Sequence, residues 1–77
     1  MRKKATLNGK PAMITDIHQK KHTHFTVQSE IEPQIGNKLE YVAGNNSIYP
    51  YIVEIVNKTG DNQYRVVTRL ARSEDYL

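Results

Sequence analysis

Turn signals punctuate this chain at short intervals, and the segments between them alternate apolar and polar side chains with period two. That pattern suits half-buried strands and leaves no room for a long helical period. Asn8-Gly9 is the strongest of these signals, because both central residues of a type I′ turn need positive φ. It joins a short strand near residues 4–7 to one near residues 10–18. Pro11 has no N–H, so that end of the second strand is expected at a sheet edge. Gln19-Lys20-Lys21 reads as the next connection. Residues 22–31 form the clearest strand, with Phe25, Val27 and Ile31 on one face and His24, Thr26, Gln28 and Glu30 on the other.

Glu32-Pro33-Gln34-Ile35-Gly36-Asn37 interrupts the alternation and feeds a strand at 38–43, where Leu39 and Tyr41 share a face. Gly44-Asn45-Asn46-Ser47 is a loop rich in residues that tolerate positive φ. Strand 49–57 sets Tyr51, Val53 and Ile55 opposite Ile52, Glu54 and Val56. Both of its faces are largely apolar, so it is expected to be the most buried strand. Thr59-Gly60-Asp61-Asn62 turns the chain into 63–71, where Tyr64, Val66 and Leu70 alternate with Arg65, Val67 and Arg69. The only helix candidate is 73–77, too short to stand alone in water.

Five to six short strands with tight turns predict an all-β fold, a small antiparallel meander curled into an SH3-like or OB-like barrel. Closure is favoured because an open sheet leaves Phe25, Val27, Leu39, Val53, Ile55 and Val66 facing water unless a dimer covers them. With 77 residues, 38% of them hydrophobic, and no Cys, the chain has a thin core and no disulfide to brace it. A single domain over 1–77 is expected, with 1–3 and 73–77 as frayed tails. No run approaches the roughly 18–20 apolar residues of a membrane helix. Met1-Arg2-Lys3-Lys4 is followed by Ala5-Thr6-Leu7-Asn8-Gly9-Lys10-Pro11 and not by an apolar stretch, so no signal peptide is read. The expectation is a cytoplasmic protein, monomer or homodimer, with no membrane partner.

The segment Pro33-Gln34-Ile35-Gly36-Asn37-Lys38-Leu39-Glu40-Tyr41-Val42 resembles the glycine-then-amphipathic-strand step of many small barrels. PilZ-type nucleotide-binding domains and SH3-like translation domains both contain such steps. The arginine-rich motif that opens PilZ domains is missing: only Arg2 lies near the start, and Asp16-Ile17-His18 lacks the Ser and Gly that should follow. The resemblance covers ten residues and assigns no family.

Charge is distributed unevenly. The net +3 averages a first third, residues 1–24, with six cationic side chains against Asp16 alone, and a remainder with five against seven carboxylates. A region of net +5 is the footprint of a surface that meets polyanions. Arg65 and Arg69 add a basic stripe on the last strand, and His24 and Thr26 join it if that strand pairs with 22–30. The candidate nucleic-acid contacts are therefore Lys3, Lys4, Lys20, Lys21, His22, His24, Arg65 and Arg69, with single-stranded nucleic acid or RNA as the ligand. Six aromatic rings, Phe25, Tyr41, Tyr49, Tyr51, Tyr64 and Tyr76, are available either for base stacking or for the core. The rival expectation is a protein-interaction adaptor or inhibitor subunit that uses a sheet edge near Pro11 or Pro50, or an apolar patch.

Catalysis is not expected. Ser29 and Ser47 lack a Gly-flanked elbow, and Ser73 sits in the tail. Neither Glu30 with Glu32 nor Glu54 with Asp61 shows a neighbourhood that would raise a carboxyl pKa. Four Gly residues form no phosphate-cradling spacing. His18, His22 and His24 are the only cluster of potential metal ligands, but Lys20 and Lys21 beside them would repel a divalent cation. No metal and no cofactor is expected.

Overall fold

The computed structural model describes residues 2–18, 23–42 and 44–76. Six strands follow in chain order: β1 (Lys3–Leu7), β2 (Lys10–Ile17), β3 (His24–Gln28), β4 (Lys38–Val42), β5 (Ile48–Gly60) and β6 (Gln63–Leu70). A 3-10 turn, Ser73–Tyr76, ends the described chain. The strands close into an antiparallel barrel in the order β1-β2-β3-β6-β5-β4. Two three-stranded meanders, β1–β3 and β4–β6, are joined by the β3–β6 and β1–β4 pairings. Closure explains how so thin a core suffices, since every strand contributes to one shared interior.

Local chemistry builds the corners. Asn8 at φ 54° and Gly9 at φ 83° make the left-handed pair that a two-residue hairpin needs, and the Leu7↔Lys10 register closes over them. The Asn8 N–H donates to the Lys38 carbonyl at 2.7 Å, and its Oδ1 accepts from the Lys38 N–H at 3.2 Å. The first hairpin is thereby tied to the start of β4. Pro11 precedes the first β2–β3 pair, Met13↔Gln28, so its missing N–H costs no bond on that side. The connection from β3 to β4, residues 29–37, links strands on opposite sides of the barrel. It carries a fully buried Pro33 and bonds to Asn62 at one end and to Val53 at the other.

The interior is filled by Ala5, Leu7, Ile14, Phe25, Val27, Leu39, Tyr51, Val53, Tyr64 and Val66. Phe25 meets Tyr51 edge-on at 5.0 Å and Tyr41 at 6.0 Å. Tyr41 in turn lies parallel to Tyr51 and tilted against Tyr49. The tyrosines of β4 and β5 are therefore largely packing residues. Burial, then the neighbouring Tyr41, pushes the Tyr51 phenol from its ordinary 10.0 up to about 12. A native phenol that resists ionisation favours folding until the unfolded chain loses its proton. Stability is accordingly intact below pH 10 and is expected to fall as pH rises from 10 towards 12, seen as phenolate absorbance appearing together with loss of strand circular dichroism. Tyr51→Phe should flatten that limb; an unchanged limb would show that another group drives it.

Three expectations from the alternation are corrected. β5 is buried only at residues 51–53: its start is exposed, and a bulge between Val53 and Ile55 turns Ile55 outward, 51% exposed, and sends Val56 inward instead. β3 ends at Gln28: the buried Ser29 hydroxyl donates to the Ile31 carbonyl at 2.7 Å and accepts from the Ile31 N–H at 3.1 Å, a local turn that leaves Ile31 exposed. Leu70 is exposed at the end of β6, whereas Thr68 takes an interior position with its hydroxyl donating to the Thr23 carbonyl at 2.9 Å. The segment 73–76 forms a 3-10 turn, and Lys3 is the first residue of β1. Among the described residues no helix is long and apolar enough to cross a membrane.

Candidate functional site

β6 pairs with β3, and this pairing assembles one polar surface. His24 lies opposite Val67 and Thr26 opposite Arg65, while β2 adds Asp16 beside Thr26. A bulge between Ile14 and Asp16 brings the Thr15 hydroxyl to the Thr26 carbonyl at 3.4 Å. His18 follows β2 directly, and its N–H donates to the His24 carbonyl at 2.9 Å. Its ring then bridges the surface: Nδ1 is 3.1 Å from the Arg65 guanidinium and Nε2 is 3.2 Å from the Thr26 hydroxyl. A guanidinium only donates, so Nδ1 accepts and the ring proton sits on Nε2, which donates to Thr26. Asp16 lies 3.8 Å from the same Nδ1. The result is an Arg65 side chain positioned by a histidine at the corner where β2 passes into β3.

Among the eight candidate contacts, His24 and Arg65 come together on this surface. Lys20, Lys21 and His22 lie outside the described residues; in sequence they belong to the connection that leaves His18 and returns at Thr23. The other three are separated from it. In the closed order β1 and β6 are opposite staves, with two strands between them either way round. Lys4, paired outward with Met13, therefore faces away from Arg65, and Lys3 shares the inward row of Ile14 at the barrel rim. Arg69 shares the outer face of β6 with Arg65, but both of its terminal nitrogens donate to Asp75, at 2.9 and 3.0 Å, and its Nε lies 3.8 Å from Glu54. Those hydrogen bonds, with a further one from the Arg72 N–H, hold the Asp75 carboxyl well below the usual carboxylate range.

The sequence marks His18 only as a potential metal ligand. Its bond to Arg65 spans 47 positions, and no local spacing announces it. No Phe or Tyr stands on the outer faces of β2, β3 and β6, so this corner offers charge and hydrogen bonds but no tyrosine or phenylalanine ring for stacking. Among the described residues no three His, Cys, Asp or Glu side chains converge as a metal site.

A different surface lies across the barrel. On β1, β2, β4 and the start of β5, a groove of about 580 Å³ is lined by Pro11, Met13, Val42 and Ile48, with Lys4 and Glu40 also lining it. Val42 and Ile48 are paired neighbours, 44% and 61% exposed. The sheet edge expected near Pro11 is present, since residues 10–12 of β2 pair with β1 alone, whereas Pro50 is paired with Glu40 of β4; beyond Val53, β5 likewise pairs with β6 alone. Compared with known proteins, the chain matches no family model, no curated protein and no solved structure.

Proposed function

We propose that this barrel is a non-enzymatic, cytoplasmic binding module that holds the phosphate backbone of single-stranded nucleic acid at the β2–β3–β6 corner. One observation carries the reading. Arg65, held at its Nη2 by His18, stands beside His24 and Thr26 at the strand ends from which Lys20, Lys21 and His22 extend in sequence. A positioned guanidinium with a hydroxyl nearby, supplemented by ammonium groups adjacent in sequence, suits phosphate oxygens. Lack of tyrosine or phenylalanine there argues for backbone contact with little base preference. Lys3, Lys4 and Arg69 are left out of this site.

The check is fluorescence titration of a labelled oligothymidylate and an oligouridylate at several salt concentrations. Three phosphates neutralised on a single strand give a slope of about −2 in log affinity against log salt. Binding should then weaken about fifteenfold between about 50 and 200 mM salt. Flat titrations at low salt, or binding indifferent to salt, would overturn the proposal. They would shift weight to a protein-docking module, which has the exposed Val42–Ile48 groove in its favour.

A further inference from the structure

Ile52 lies on the outside of the barrel, in a lateral row between Lys38 of β4 and Arg69 of β6, yet it is only 7% exposed. It is not part of the interior cluster. The terminal turn spans the same row. Asp75 accepts two hydrogen bonds from Arg69 on one side of Ile52, and the Tyr76 ring lies 4.1 Å from the Lys38 ammonium on the other. The outer row thus reads cation, apolar side chain, cation. What occupies it is a carboxylate followed directly by an aromatic ring.

Surface contacts alone hold this occupant in place. None of its four residues is buried. The contacts that hold it are one bidentate guanidinium–carboxylate pair and one cation–π contact, both between partly exposed side chains. A single 3-10 turn has no cooperative stability of its own. Segments anchored this way sit at the low end of local stability and open without unfolding the domain. When the turn lifts, it uncovers two cations flanking an apolar side chain.

We infer that the Lys38–Ile52–Arg69 row is a docking site for a short acidic–aromatic segment of a partner protein, and that Ser73–Tyr76 is its resident, competing occupant. The resident defines the chemistry. A carboxylate is needed to engage Arg69 in the two-pronged geometry that a guanidinium favours. The next residue must be a ring that can lie against Lys38. Glu40 limits the choice further: burial first, and then its charge, pushes the Tyr76 phenol above its ordinary value, so a doubly charged phosphotyrosine is disfavoured at this position. The Lys38–Ile52–Arg69 row shares no residue with the proposed nucleic-acid corner at the opposite end of β6.

The test uses a fluorescent peptide with the sequence of residues 70–76, titrated into the full chain and into an Asp75→Asn/Tyr76→Ala variant that vacates the row. If the resident turn covers the row nine-tenths of the time, the wild-type chain binds about tenfold more weakly than the variant. Adding Arg69→Gln to the variant should abolish binding, as should placing Lys in the peptide at the position of Asp75. A phosphotyrosine peptide should bind less tightly than the unmodified one. Asp75→Lys gives a second route, since repulsion from Arg69 releases the turn while Tyr76 is kept. Near-ultraviolet circular dichroism of the tyrosines reports whether the barrel remains folded in each variant. Equal binding to folded wild type and folded variants, or binding that survives Arg69→Gln, overturns the inference.

Discussion

Phe25→Ala is expected to destabilise the barrel by about 3–5 kcal/mol, the range for deleting a buried phenylalanine ring. Phe25 is completely buried at the centre of the interior, where β3 faces the Tyr41 and Tyr51 rings of β4 and β5. The loss has two parts: the transfer free energy of the ring, and the cavity left because strands closed on both sides cannot collapse inward to fill it. Domains have about 0.05–0.15 kcal/mol of stability per residue, so a chain this size has roughly 4–12 kcal/mol in hand. The substitution should therefore remove at least about a quarter of that reserve, and all of it at the low end of the range. Urea denaturation followed by circular dichroism measures the shift, with Ile35→Ala, a change at an exposed loop position, expected within about 0.5 kcal/mol of wild type. A loss below about 1 kcal/mol would mean that the interior is not packed around Phe25.

The second large effect concerns binding. Arg65→Glu combined with Lys20→Glu and Lys21→Glu should lower oligonucleotide affinity at about 50 mM salt by about a hundredfold and bring the salt slope close to zero. The paired control is Lys4→Glu, which changes the net charge in the same direction on the opposite stave of the barrel. If binding is a local matter of the β2–β3–β6 corner, Lys4→Glu costs less than about threefold. If the protein attracts polyanions only through its summed charge, each of the four substitutions costs a similar amount. That result would dissolve the corner as a site. Arg65 is exposed, so its replacement should leave the unfolding free energy from urea denaturation within about 0.5 kcal/mol.

Much of the architecture is legible in local pattern. The alternation of Phe25 and Val27 with His24 and Thr26, and of Tyr64 and Val66 with Arg65 and Val67, marks inner and outer faces because a strand repeats every two residues. Asn8-Gly9 marks its own hairpin, since few other pairs accept two positive φ values. Alternation stops marking the interior where the period itself changes. Ile55 reads as a core residue until the bulge at Glu54 shifts the phase, and Ile31 reads as one until the Ser29 hydroxyl ends the strand. Both are backbone events with weak signatures in side-chain hydropathy.

The candidate site divides along the same line. That Arg65 and Arg69 share a face, and that His24 and Thr26 join Arg65 if β3 and β6 pair, follows from alternation alone. Whether Lys4 stands beside Arg65 or across the barrel from it depends on strand order, and pairing partners are chosen by the fit of the whole interior. The same holds for Arg69, whose engagement by Asp75 depends on where the chain travels after Leu70. The amino-acid sequence by itself determined the strands, the two faces of most of them and the uneven charge, because these depend on neighbours one or two residues apart. Only the tertiary structure decided which charges meet: closing six strands in the order β1-β2-β3-β6-β5-β4 set Arg65 against His18, covered Ile52 with the terminal turn, and put the basic side chains of β1 and β6 on opposite sides.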